Sequence, residues 1–149
     1  MSPNSPASSP WFKWNGVCVD CAPGQFEEMV SFDTGMFGIE VLDKEERWAM
    51  VGDRSAGMNI NIQAEDWYAP PVWPERGNEP AKMMHFEIEV DDVERAVARA
   101  TSLGAREAPN QPSDRDLGRL RVMLDPADHP FCLWSRQTPS DDVPYWHDR

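Results

Sequence analysis

The sequence predicts an α+β domain made of two copies of one unit, a strand, a helix and three further strands. Three observations predict it. Alternating and amphipathic runs follow one another in the same order twice. Each helical run closes on a hydrophobe–glycine pair, Phe37-Gly38 in the first copy and Leu103-Gly104 in the second. The chain has 149 residues, which fits one domain or two small modules sharing one core.

The first copy opens with Gly16-Val17-Cys18-Val19-Asp20-Cys21, a short β-branched alternating run that reads as a strand. Pro23-Gly24 breaks the chain, and Phe26, Met29, Val30 and Phe37 then recur near one helical face. Gly38 stops that helix. Residues 39–42, 47–51 and 58–63 read as three strands separated by charged or glycine-bearing turns.

The second copy opens with residues 84–90, which alternate almost strictly and so form a strand with two different faces. Asp91 with Glu94 three residues on predicts a capping box. Val93, Ala96, Val97 and Ala100 sit at i, i+3, i+4 and i+7, an amphipathic helix. Residues 105–107 form a weak strand, and 120–124 and 130–134 stronger ones. Module one is therefore 14–63 and module two 83–136. The segment 64–82 between them carries Trp67, Tyr68, Trp73 and several prolines, and is expected to be an ordered arm. Residues 1–13 hold a Ser/Pro-rich run and are expected to be disordered. Residues 137–149 read as a loose tail, with Tyr145 and Trp146 as the groups that would dock it.

Composition excludes several functions. Lys plus Arg is 14 against 26 for Asp plus Glu, a net charge of −12. Nucleic acid and anionic membrane surfaces need clustered cations, so neither is an expected partner. No apolar run approaches the roughly 20 residues that span a bilayer. The N-terminus lacks a basic start and an apolar stretch, and three cysteines suit a reducing compartment, so a cytoplasmic location is expected. Cys18 and Cys21 with His129 and Cys132 have the spacing of a CxxC/HxxC zinc set. On a strand, however, residues i and i+3 point to opposite faces, which argues for isolated cysteines.

An ordered set of segments gives the chain its resemblance to known proteins. They are 17–23, Phe37-Gly38, Pro70-Pro71-Val72-Trp73-Pro74, Met84-His85-Phe86-Glu87-Ile88, 90–97 with Leu103-Gly104-Ala105, and Leu124-Asp125-Pro126-Ala127-Asp128-His129-Pro130-Phe131-Cys132-Leu133. Across residues 14–136 the chain resembles the vicinal oxygen chelate superfamily in its glyoxalase-like branch, the glyoxalase/bleomycin resistance/dioxygenase type. The resemblance implies paired βαβββ modules whose mixed sheets curl around a cup, with helices outside. It also implies a homodimer, and a divalent metal held on the inner faces of the central strands.

Carried over residue by residue, that metal site is depleted. Gly16 stands where the first module usually offers His, His85 matches the second module's His, and Cys132 stands at the usual Glu. One ligand of three does not make a catalytic zinc or iron(II) site. No metal or other cofactor is therefore expected, with His85 the only matched ligand.

Alternation then sorts the side chains. Phe86, Ile88 and Val90 are expected under the helix, leaving His85, Glu87 and Glu89 facing the cup. By the same rule Trp48, Met50, Asn61, Gln63, Arg121, Met123, Cys132 and Trp134 face the cup, and Trp73 is placed as a lid. Such a mixture of apolar and aromatic walls with few polar groups suits a small planar or aromatic ligand. The expected function is metal-free binding of such a molecule, of the sequestration or resistance type. The alternative is a lyase, isomerase or dioxygenase that is metal-dependent or uses His85 and Glu87 as an acid–base pair.

Overall fold

The computed structural model describes residues 14–55, 57–113 and 116–136. The two expected tails, 1–13 and 137–149, lie outside the described residues. Module one contains β1 (Gly16–Cys21), α1 (Phe26–Phe37), β2 (Glu40–Lys44), β3 (Trp48–Gly52) and β4 (Asn59–Ala64). Module two contains β5 (Phe86–Glu89), α2 (Val93–Ser102), β6 (Arg106–Glu107), β7 (Leu120–Leu124) and β8 (Pro130–Trp134). The sheets are four-stranded and mixed, in the orders β1-β4-β3-β2 and β5-β8-β7-β6, so the α+β class and the repeat are as expected. No helix among the described residues is long and apolar enough to cross a membrane.

Local chemistry explains the boundaries. Gly38 adopts the left-handed conformation at φ 61°, which a residue with a Cβ disfavours, and its N–H returns to the Thr34 carbonyl. The cap of α2 differs by one residue from the sequence expectation: Asp92, not Asp91, accepts from the Arg95 N–H. Strand β5 begins at Phe86, so His85 sits just before it.

The modules interlock. Phe26, Met29 and Val30 of α1 pack with Ala49, Val51 and Ile62 of the first sheet, and Ala127 from the β7–β8 turn joins that cluster. Phe32 and Met36, on the same helix, instead join Phe131, Leu133 and Met123 of the second sheet. The Phe32 and Phe131 rings lie 6.0 Å apart. A single helix thus shares its apolar surface between both sheets. Strands β1 and β5 stand at the ends of their sheets, and residues of both border one cavity.

Candidate ligand site

A cavity of about 390 Å³ lies at this seam. Val17 to Asp20 of β1 form one wall, Met84, His85 and Phe86 another, and the arm supplies Tyr68, Pro71 and Lys82. Asp125, His129, Pro130 and Phe131 close the remaining side. Most of these walls are apolar, and the polar groups gather at Cys18 and Asp20, at Lys82 and His85, and at Asp125 and His129.

The Asp125–His129 corner is built by the β7–β8 turn. The Asp125 Oδ1 accepts from the Ala127 and His129 N–H groups, which folds the turn back on itself. The His129 Nδ1 lies 2.7 Å from Asp125 Oδ2, and its Nε2 lies 3.3 Å from the Tyr68 hydroxyl. That hydroxyl donates to the Ala127 carbonyl at 2.5 Å. Burial works against the His129 imidazolium, but its hydrogen bond to Asp125 and that carboxylate's charge hold its pKa above the ordinary value. Burial, and then the Asp125 and Asp128 charges, raise the Tyr68 hydroxyl.

Asp33 faces the same group from α1. It is only 2% exposed, and its Oδ2 has no partner. Burial first and the Asp125 charge second push its carboxyl up to about 7, with His129 opposing. Sequence reasoning missed Tyr68, Asp125 and His129 as site residues. The only available signal was the Asp125/His129 spacing around a proline turn, which also reads as a plain turn.

The residues expected in the cup divide into groups. On the first sheet Trp48 pairs with Gln63 and Met50 with Asn61, so these four share one face, opposite the core. Trp48 and Gln63 line a separate shallow hollow with Arg47 and Glu65, away from the seam. On the second sheet His85, Glu87 and Cys132 converge. Glu87 and Cys132 are register partners on β5 and β8, and His85 Nε2 lies 2.5 Å from Glu87 Oε1. Burial, then the Glu87 charge, push the Cys132 thiol up to about 12. Of the eleven expected site residues, His85 alone also borders the seam cavity. Trp134 lies on the Cys132 face, with the Arg136 guanidinium 5.3 Å from its ring centroid.

Two orientations are corrected. Met123 packs at the helix side with Phe131 and Leu133, and Arg121 pairs with Leu133 on that same side. Leu120, Val122 and Leu124 occupy the other face, with Cys132 and Trp73. The reason is that β7 is buried on both faces, so its apolar alternation carries no direction. Trp73 is correspondingly packed against the second sheet, its Nε1 donating to the Asn110 carbonyl at 3.2 Å and Lys82 stacked 4.3 Å from its ring centroid.

Arg121 serves the fold instead. Its guanidinium reaches Glu94 of α2 at 2.5 Å, Glu107 of β6, and the Leu117 carbonyl at 3.0 Å. Arg121→Ala is expected to cost about 2 kcal/mol, moderated because both acids stay hydrated when freed. Thermal melts check the loss, and binding of any cavity ligand should be unchanged.

Position 16 also bears on chemistry. Gly16 pairs with Asn59, and a Cβ built on it would lie 2.0 Å from the Asn59 carbonyl oxygen. Cys18 and Cys21 point to opposite faces, Cys18 towards Gln63 and Cys21 into the first core, as strand alternation requires.

A family model described as a glyoxalase-like domain matches residues 16–134. No curated protein matches the chain. Among solved structures, a glyoxalase/bleomycin resistance protein/dioxygenase family enzyme from Burkholderia phytofirmans is 16% identical with a TM-score of 0.58, covering 85% of this chain and 100% of that one. An antibiotic binding protein from Streptomyces is 18% identical with a TM-score of 0.52, covering 87% and 99%. A fosfomycin resistance protein from Listeria monocytogenes, solved with Mn(II), is 18% identical with a TM-score of 0.54, covering 80% and 86%. At these identities the likeness is one of fold.

Proposed function

The chain belongs to the glyoxalase-like domain family of the vicinal oxygen chelate superfamily, and from that premise we propose that it binds a small planar or aromatic molecule in the seam cavity, as a sequestering or resistance-type protein. The observation that carries this is the cavity itself. Its volume of about 390 Å³ falls within the span of ordinary small-molecule sites, roughly 300–1,000 Å³. Flat apolar walls from Val17, Pro71, Phe86 and Phe131 suit a ring system, and Lys82, His85 and Asp20 at the margins suit one or two polar handles. Two fold neighbours, an antibiotic binding protein and a fosfomycin resistance protein, support a small-molecule ligand in general.

The family's two-module hard-metal set does not fit these residues. Gly16 has no donor and no room for one beside Asn59, and Cys132 offers a thiol where a carboxylate would be needed. Binding as proposed needs no metal.

A thermal-shift panel of planar aromatic compounds, run with a chelator present, tests the proposal. At about 100 times its Kd a ligand adds about 2.7 kcal/mol, or a Tm rise on the order of 5–10 °C at this size. Cys18→Trp and Ala81→Trp, which add bulk at two residues lining the cavity, should each abolish the rise. A rise that persists in both variants, or no rise with any compound, contradicts it.

The hydrogen bond between His85 and Glu87 supports a second reading, acid–base turnover of the bound molecule. Mass spectrometry of the compounds that bind distinguishes the two: turnover predicts a product that His85→Gln does not form.

A further inference from the structure

We propose that Tyr145 and Trp146, from the chain beyond Arg136, dock in a cleft on the helix side of the second sheet. The cleft shares no lining residue with the seam cavity, and the proposal does not depend on the ligand there. Its volume is about 460 Å³. Met36 and Phe37 of α1, Ala96 and Arg99 of α2, and Ile88 and Val90 from the β5 segment border it. The described fold leaves part of this apolar surface uncovered. Phe37 is 36% exposed. Val93 and Ala100 of the α2 stripe are buried, but Ala96 and Val97 between them are only half-buried. An aromatic pair set there would take that surface out of water.

The place where the chain leaves the second sheet selects the occupant. The Ser135 Oγ donates to the Asp91 carbonyl, just before α2, at 3.2 Å, and the Arg136 Nε donates to Glu89 Oε1 at 2.9 Å. Glu89 also borders the cleft. Tyr145 follows Arg136 by nine residues, a reach of up to about 30 Å when extended. Arg99 lies six residues along α2 from Val93, a rise of about 9 Å. The segment therefore reaches the cleft with length to spare. Charge agrees with this occupant. Asp141 and Asp142 precede the aromatic pair. Arg95 and Arg99 lie exposed at i and i+4 on α2, and neither is in an ion pair among the described residues. Tyrosine and tryptophan suit a cleft with an apolar wall and a wet margin, because each ring carries a polar tip. Tethering holds the pair at an effective concentration on the order of millimolar, so modest contacts suffice.

Chymotrypsin cleavage of the whole chain after Tyr145 and Trp146, located by mass spectrometry, tests the proposal. A docked ring cannot enter the protease pocket, so cleavage follows the undocked fraction. It should be at least about tenfold slower than in the free peptide of residues 137–149. Arg99→Glu and Ala96→Glu set a like charge against Asp141 and Asp142, and each should bring the rate close to that of the peptide. Cys18→Ser, at the seam cavity, should leave the protection intact. Circular dichroism checks that each variant is folded. Protection that does not change with protein concentration supports docking on the same chain. Cleavage of the wild type at the peptide's rate, or protection that survives in both folded glutamate variants, overturns the proposal. Protection lost on dilution, as docking on a second copy would give, overturns it too.

Discussion

Replacing Asp33 by Asn should stabilise the protein, and by more at high pH than at low. Asp33 is buried on α1 with one oxygen unpartnered, and its carboxyl is pushed up to about 7 by burial and by Asp125. In the unfolded chain the same group ionises near 3.8. The native state therefore holds the proton more tightly, and stability falls as pH rises from about 4 to about 7. The shift is worth about 4 kcal/mol once complete at pH 8.5, and about 2 kcal/mol at pH 5.5. Asn carries no charge at either pH, and any packing cost of its amide is common to both. Urea melts at pH 5.5 and 8.5 should show the variant's gain growing by about 2 kcal/mol between them. A gain that does not change with pH would mean that Asp33 is ionised and paired in the fold.

His129 adds to the same slope. Its pKa is held above the ordinary value, so its contribution is complete below about 6.5 and is lost as pH climbs through the folded value. The groups facing this pair are Asp125, Asp33 and the Asp20 carbonyl, with Tyr68 against the ring. Buried acidic groups thus make the junction between the modules most secure in mildly acidic solution.

Phe131→Ala should be the costliest single truncation at the seam. Phe131 is 3% exposed, packs on Phe32 from the other module, and walls the cavity. Removing a buried phenyl ring costs about 3–5 kcal/mol, since the transfer loss and the new void add. The Tm should fall by about 10 °C. The conservative Phe131→Leu should recover most of the stability. A loss below 1 kcal/mol for Phe131→Ala would show that the two sheets do not share α1 as described.

Much of the fold was legible because each element carries its own signal. Gly38 and Gly104 marked helix ends, and β5 has one apolar and one charged face, so His85 and Glu87 could be placed opposite Phe86 and Ile88. Strand β7 has no polar face to orient it, and there the assignment of Arg121 and Met123 inverted. Alternation within β5 and β8 sufficed to place His85, Glu87 and Cys132 on one face. The cavity left no trace of comparable strength. Its walls come from β1, the arm and the β7–β8 turn, segments far apart in sequence, and the interlocking of α1 with both sheets brings them together.

The most direct test is where a ligand sits. A crystal structure with the compound giving the largest thermal shift should show it between Val17, Tyr68, Pro71 and Phe131, with a polar group towards Lys82 or His85. Density instead on the open face beside Trp48 and Gln63, with the seam filled by protein side chains, would contradict the assignment of this cavity as the binding site.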